Sequence, residues 1–174
     1  MKALFSLFAI IFIYIRSTNA CNGYTISNYQ ISPCMENGII KPINMSVVLD
    51  NDCNLIFTGC LNVDKALNMA VTKYTFNKPP MPSLKGTMDF CEIMKELQYP
   101  QVKQGLRSLG LPNRCPLSKG LKCGKGKNEK TNLGNLRKHL GAAAGTTTVR
   151  LDFEHDVGKS CVDIVITITK PRKG

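Results

Sequence analysis

The clearest pattern in the chain is an alternation of apolar and polar residues near the C-terminus. In segment 146–154, one face carries Val149, Leu151 and Phe153. Segment 161–169 alternates in the same way, and one face carries Val162, Ile164, Ile166 and Ile168. A period of two is typical of a half-buried strand, and β-branched residues suit a pleated surface. Because Gly158 lies in the connection 155–160, the pattern predicts a β-hairpin that is apolar inside and polar outside.

Four earlier segments have a weaker strand-like composition. They are residues 24–31, 43–49, 55–58 and 67–76. Glycine, proline or Asn-Asp signals separate several of them. Many short strands with few helices predict an all-β fold of two packed sheets, an immunoglobulin-like β-sandwich. The proline-rich stretch 78–82 is expected to be an extended connector within one domain.

One short helix is predicted after these strands. Asp89 can cap it, and Glu92 follows three residues later, as in a capping box. Apolar side chains then recur at helical spacing, at Phe90, Ile93, Met94 and Leu97. Tyr99-Pro100 is expected to end the helix.

A loose connection with many apolar residues follows the predicted helix. Its apolar residues include Val102, Leu106, Leu109 and Leu111. A solvated loop does not carry so many apolar side chains, so segment 90–111 must pack on something. A helix on a closed core and a lid over an apolar cavity both satisfy that condition.

The first twenty residues have the features of a signal peptide. Lys2 precedes an apolar run over 3–15, and Thr18 and Ala20 supply small residues before a cleavage site at Cys21. The run is shorter than the roughly 20 residues that a membrane-spanning helix needs. We therefore expect residues 1–20 to be removed and residues 21–174 to form a single secreted domain.

All eight cysteines lie in the expected mature chain. An even number of cysteines behind a signal peptide predicts a disulfide framework. No Cys-x-x-Cys pair is present, and the two histidines are His139 and His155, so no metal site is predicted. Asn44-Met45-Ser46 is a sequon for N-glycosylation at Asn44.

The chain is strongly basic, with a formal net charge of +11, and +9 remains without Lys2 and Arg16. Much of the excess lies in the basic segment 114–138, whose one acid is Glu129 and whose glycines predict a flexible surface loop. A basic secreted domain attracts anionic lipid headgroups, sulfated glycans or nucleic acid. Nucleic acid is not an expected partner, because the chain has no tryptophan and no aromatic residue among the clustered lysines.

No catalytic constellation is evident. A Gly-x-Ser-x-Gly motif is absent. His155-Asp156 lacks the adjoining cysteine pair of a secreted phospholipase, and His155 is expected to be an exposed turn residue. Asp152, Glu154 and Asp156 are expected to form a polar outer face. The prediction is therefore a binding protein without enzymatic activity and without a cofactor.

Three motifs occur in a fixed order in segment 89–123. They are Phe90-Cys91-Glu92-Ile93-Met94, Leu109-Gly110-Leu111-Pro112 and Cys115-Pro116-Leu117-Ser118-Lys119-Gly120. Together they resemble the ganglioside activator branch of the ML family, the MD-2-related lipid-recognition domains. Segment 44–47 also resembles the family's early glycosylated strand, and segment 158–164 resembles its final hairpin. The chain departs from it in lacking tryptophan and in the placement of Cys34, Cys53, Cys60 and Cys123.

The resemblance implies a β-cup whose two sheets enclose an apolar cavity for lipid tails. The expected cavity residues are Val149, Leu151, Phe153, Ile164 and Ile166. The expected mobile lid contains Phe90, Ile93, Met94, Leu97, Val102, Leu106, Leu109 and Leu111. The resemblance also implies disulfides between Cys91 and Cys115 and between Cys21 and Cys161, and it leaves three pairings open for the other four cysteines.

The leading functional hypothesis is a secreted lipid carrier or lipid-presenting protein, similar to a sphingolipid activator. The expected ligand is an acyl-chain lipid, glycolipid, sterol or hydrocarbon, and the expected location is extracellular, with the lysosome as an alternative. Transient docking to anionic membranes is assigned to Lys119, Lys122, Lys125, Lys127 and Lys130, against the simpler reading of a solvated loop. The alternatives are a cationic secreted effector of the venom or antimicrobial type and a hydrolase with an unrecognised site.

Overall fold

The computed structural model describes residues 20–96 and 100–170 of the 174-residue chain. Across these residues the chain forms nine β-strands: β1 (Thr25–Pro33), β2 (Ile40–Leu49), β3 (Asn54–Val63), β4 (Ala70–Asn77), β5 (Leu84–Asp89), β6 (Gly120–Cys123), β7 (Thr131–Asn132), β8 (Gly145–His155) and β9 (Gly158–Thr169). The α-helices of this part are short: α1 (Phe90–Glu96), α2 (Pro100–Ser108) and α3 (Leu140–Ala143). Short 3-10 helices lie at Ala20–Gly23, Gly126–Asn128 and Gly134–His139.

The strands form two antiparallel sheets. One sheet has five strands in the order β1-β9-β8-β4-β5. In the other, β3 is central: β2 pairs along one edge, and β6 and β7 pair at different ends of β3. The predicted all-β, two-sheet sandwich is therefore confirmed. Among the described residues no helix has the length and apolar character needed to cross a bilayer.

The predicted hairpin is formed by β8 and β9, and it is tighter than the sequence indicated. The two strands stay paired from Gly145↔Ile168 to His155↔Gly158, which leaves a two-residue turn in place of the expected six-residue connection. Gly158 has a φ of 144°, which permits this close return of the chain. Val149 pairs with Ile164 and Leu151 pairs with Val162, so their side chains lie on one face of the sheet.

The helical prediction is correct at its start and incomplete at its end. Asp89 caps α1, because its Oδ1 accepts hydrogen bonds from the backbone N–H groups of Cys91 (2.8 Å) and Glu92 (3.0 Å). Pro100 does not simply end the helical region, because it is the first residue of α2. Proline fits a first helical position, where its missing N–H removes no hydrogen bond. The expected loose connection is therefore largely a second helix.

The expected flexible loop over the basic segment also contains regular structure. Residues 120–123 form β6, which pairs with β3, and residues 131–132 form β7, which pairs with the other end of β3. Strands this short carry too few residues to show a period of two. Strand β5, which was not predicted, extends the five-stranded sheet beyond β4.

Four disulfides cross-link the fold, and one of the two expected pairs is wrong. Cys91–Cys115 is present, as the resemblance implies. Cys21 is bonded to Cys53 and Cys34 to Cys161, in place of Cys21–Cys161, and Cys60 is bonded to Cys123.

The pairing of β1 with β9 explains why Cys161 is bonded to Cys34 and not to Cys21. Thr25 lies opposite Thr169, while Pro33 lies opposite Val162. Cys34 therefore reaches Cys161 at one end of the strand pair. Cys21 precedes the other end, about 25 Å away at roughly 3.3 Å per residue.

The core is divided into two clusters of buried side chains. One contains Cys21, Leu49, Cys53, Leu133 and Leu140. The other contains Ile39, Val63, Leu67, Ala70 and Leu117. The second cluster forms part of the wall of a cavity, because Val63, Leu67, Ala70 and Leu117 also line that cavity.

Candidate functional site

The main cavity lies between the two sheets and has a volume of about 350 Å³. The five-stranded sheet contributes Tyr29, Ile31, Ala70, Leu151, Phe153, Val162 and Ile164. The opposite sheet contributes Ile40, Met45, Phe57, Leu61 and Val63. Leu67 and Leu117 join the two sides. The wall is apolar almost throughout. Tyr29 is one of its residues, and burial raises the pKa of its hydroxyl group.

Three of the five expected cavity residues line this space. They are Leu151, Phe153 and Ile164. Val149 and Ile166 are half-buried on the same face of the sheet but do not line the cavity. Alternation identifies the inward face of a strand, but it does not say where along that face the opposing sheet moves away.

Several wall residues were missed from the sequence, although some carried a signal. Tyr29 and Ile31 alternate in the first predicted strand, and Val162 alternates with Ile164. Met45 lines the cavity while its neighbour Asn44, the predicted glycosylation site, is exposed to solvent. A glycan on Asn44 would therefore not need to enter the cavity.

The lid segment, residues 90–96 and 100–111, closes part of the cavity. Four of its predicted members line the wall: Phe90, Leu106, Leu109 and Leu111. Phe90 contacts Phe153 edge to face, with ring centroids 6.3 Å apart. This contact joins the lid segment to the five-stranded sheet.

The remaining lid residues lie elsewhere. Met94 is 2% exposed but does not line the cavity, and Ile93 is 37% exposed. Val102 is 44% exposed and lies beside a second apolar pocket between α2 and β3. Leu97 lies outside the described residues.

Polar contacts hold α2 against the basic segment. Ser108 is fully buried, and its hydroxyl lies 2.7 Å from the Thr131 hydroxyl. The backbone N–H of Lys125 donates to the Ser108 carbonyl at 2.9 Å. The backbone N–H of Asn132 donates to the Gln104 side-chain oxygen at 3.2 Å. The lid segment is thus attached to β7 and to Lys125, two residues after β6, as well as through Cys91–Cys115.

The five lysines assigned to membrane docking have different environments. Lys130 forms an ion pair with Asp50 at 2.8 Å, and Lys125 forms one with Glu129. Lys122 donates to the Ser118 hydroxyl at 2.8 Å. Lys119 and Lys127 are exposed, and neither has an ion pair among the described residues.

The two carboxylates that pair with Lys130 and Lys125 both have lowered pKa values. Burial raises the pKa of Asp50, but hydrogen bonds from Lys130 and Asn54 lower it by more, so the net pKa is well below its ordinary value. The hydrogen bond from Lys125 lowers the pKa of Glu129, and the nearby Arg107 lowers it further. Lys125 and Lys130 therefore already have anionic partners in the folded protein.

His155 is not the exposed turn residue that was expected. It is half-buried and stacks on Phe153, and its Nε2 lies 3.0 Å from the Ser160 hydroxyl. Burial lowers the pKa of His155. Ser160 is 2% exposed, and its hydroxyl oxygen accepts a hydrogen bond from the Ile40 N–H at 2.9 Å. These contacts connect the β8–β9 hairpin to the start of β2.

Comparison with known proteins shows a similarity to a mosquito saliva protein. No protein-family model matches the chain. Over 166 residues the chain is 26% identical to sporozoite-associated mosquito saliva protein 1 of Anopheles gambiae, which covers 93% of this chain and 91% of that protein. The similarity to a saliva protein and the four disulfides are consistent with an extracellular protein.

Proposed function

We propose that this protein is a secreted, non-enzymatic lipid-binding protein that holds a hydrocarbon chain between its two sheets. The supporting observation is the cavity of about 350 Å³ whose wall is apolar on both sheets and on the lid segment. Protein interiors are close-packed, and voids larger than a water molecule are few. Ligand sites in proteins typically occupy about 300–1,000 Å³ and are mostly apolar. A cavity of this kind therefore favours a ligand over a packing defect.

The mechanism is burial of apolar surface. Each methylene group that moves from water into an apolar site contributes roughly 0.8 kcal/mol, so a long chain supplies most of the affinity. Because the wall offers almost no hydrogen-bonding groups, a polar headgroup stays outside the cavity. Acyl-chain lipids, glycolipids, sterols and hydrocarbons all carry such an apolar part.

The experiment that tests this function fills the cavity with a larger side chain. Leu151→Trp adds volume at the wall without burying a charge, and the added bulk is expected to remove most uptake of a fluorescent long-chain fatty acid. We expect the affinity to fall at least about tenfold, which corresponds to about 1.4 kcal/mol. Native mass spectrometry of the wild-type protein should show a lipid bound at one copy per chain.

The matched control is Leu121→Trp. Leu121 is 60% exposed on β6 and does not line the cavity, so the same substitution there should leave uptake unchanged. Circular dichroism establishes whether each variant is folded. A folded Leu151→Trp protein that takes up the fatty acid at full stoichiometry and affinity would contradict the proposed function.

We also propose that the protein contacts anionic membranes, through fewer lysines than the five predicted from the sequence. Lys119 and Lys127 are exposed and lack ion pairs among the described residues, whereas Lys125 and Lys130 are paired. A lysine near an anionic membrane surface contributes about 1 kcal/mol, so Lys119→Gln with Lys127→Gln should weaken binding to phosphatidylserine vesicles about thirtyfold. The salt dependence of binding should also decrease. Vesicle sedimentation measures both effects.

A charge-matched control shows whether vesicle binding depends on these two lysines or only on the net charge of the protein. Lys65→Gln with Lys85→Gln removes two exposed lysines outside the basic segment, and we expect a clearly smaller loss. Equal losses in the two double variants would show that net charge alone drives vesicle binding. Leakage of vesicle contents without uptake of lipid would instead favour a cationic effector that acts directly on membranes.

A further inference from the structure

A third space, distinct from the main cavity and from the apolar pocket beside Val102, is lined by both charged and apolar side chains. Its volume is about 340 Å³, and its wall combines cationic and apolar side chains. Arg107 of α2, Lys122 of β6 and Lys125 supply the cations, and Leu111, Pro112 and Pro116 supply apolar surface. This feature is called the basic cleft below.

The basic cleft and the main cavity share one wall residue. Leu111 lines both spaces. A polar group in the basic cleft would therefore lie next to a residue that also borders the apolar cavity. This is the arrangement that an amphipathic molecule requires, because its charged end cannot enter an apolar space without losing its hydration.

The cations of the basic cleft exceed the acid that faces them. Glu129 contacts both Arg107, at 3.0 Å, and Lys125. One carboxylate thus holds two cationic side chains in place and neutralises one charge. Lys122 is half-buried, donates to the Ser118 hydroxyl at 2.8 Å and has no ion pair among the described residues. The three cations and one carboxylate leave the basic cleft positive.

We propose that the basic cleft binds the anionic headgroup of a lipid whose hydrocarbon chain occupies the main cavity. The headgroup is of the phosphate, sulfate or carboxylate class, because these anions accept several charge-assisted hydrogen bonds from guanidinium and ammonium groups. This inference rests on the proposed function and restricts its ligand class to anionic lipids. It also assigns Lys122 and Lys125 to the selection of the ligand, in addition to any part in membrane docking.

The test compares two lipids that differ only in the headgroup. A single-chain lysophosphatidic acid and the monoacylglycerol with the same chain are titrated into the wild-type protein by calorimetry, below the concentrations at which they form micelles. We expect the phosphate-bearing lipid to bind at least about tenfold more tightly, since hydrogen bonds to charged groups are the strong ones. Equal affinities would overturn the inference while leaving the proposed function intact. Failure of both lipids to bind would overturn both.

Two variants test whether side chains of the basic cleft cause the tighter binding of lysophosphatidic acid. Lys122→Gln and Arg107→Gln should each lower the affinity for lysophosphatidic acid about tenfold and leave that for monoacylglycerol unchanged. The controls are Lys103→Gln, on the same helix as Arg107, and Lys138→Gln, because both residues are exposed and neither lines the basic cleft. Equal losses in the control variants would assign the preference to diffuse surface charge and overturn the inference.

Inorganic phosphate distinguishes a lipid headgroup from a free anion. We expect phosphate alone to bind far more weakly than lysophosphatidic acid, because it lacks the chain that the cavity holds. Phosphate that binds as tightly as the lipid would show that the basic cleft is a free-anion site unconnected with the cavity, and the inference would then be wrong.

Discussion

Replacing Cys34 and Cys161 with alanine is expected to lower the free energy of unfolding by about 5 kcal/mol. This disulfide links residues 127 positions apart, the widest separation of the four. In the chain-entropy model a cross-link stabilises by restricting the unfolded chain, and the effect increases with the length of the closed loop. Cys161 is 4% exposed, so alanine is preferable to serine, which would bury a hydroxyl group. Chemical denaturation of the oxidised proteins measures the difference.

The Cys91–Cys115 disulfide provides the comparison. It closes a separation of 24 residues, and the same model gives about 3.5 kcal/mol for its removal. Because it attaches the start of α1 to the segment before β6, its loss should also increase amide exchange in the lid segment. A Cys91→Ala, Cys115→Ala protein that is less stable than the Cys34→Ala, Cys161→Ala protein would contradict the predicted order.

The fold class could be predicted because alternation is a local property of the sequence. The face of β8 that carries Leu151 and Phe153 was recognisable without knowledge of any other strand. The pairing of cysteines was not recognisable in this way, because it depends on which strands become neighbours. Only the pairing of β1 with β9 brings Cys34 beside Cys161.

The candidate site was only partly predictable for the same reason. That Leu106, Leu109 and Leu111 pack on another surface could be predicted, because so many apolar residues cannot remain in water. Their role as a lid was implied only by the family resemblance. The basic cleft had no comparable signal. Arg107 and Lys122 belong to separate elements, and their proximity follows from the docking of α2 beside β6. Periodicity cannot report a contact of that kind.

The end of α2 explains how the lid segment is held in position. The backbone N–H of Gly110 donates to the Arg107 carbonyl at 2.9 Å, and the N–H of Leu111 donates to the Leu106 carbonyl at 2.9 Å. These are the two hydrogen bonds of a Schellman motif, which requires a left-handed residue. Gly110 supplies it, with a φ of 73°. The motif places Leu106 and Leu111 together at the cavity wall.

Gly110→Ala is therefore expected to lower the free energy of unfolding by about 3–5 kcal/mol and to release the lid segment. A methyl group at this position would lie 2.3 Å from the carbonyl oxygen of Cys123, which belongs to the backbone of β6 and cannot rotate away.

Gly120→Ala is the matched control. Gly120 also has a positive φ, of 113°, but no atom lies within 4 Å of an added methyl group, so the loss should be limited to about 1–3 kcal/mol of backbone strain. Denaturation of both variants measures stability, and hydrogen exchange over 106–111 and 120–125 reports whether α2 leaves β6. Because Leu106, Leu109 and Leu111 would move with α2, Gly110→Ala should also bind fatty acid less tightly than Gly120→Ala. Equal stability and equal exchange in the two variants would show that the contact between Gly110 and Cys123 does not hold the lid segment in place.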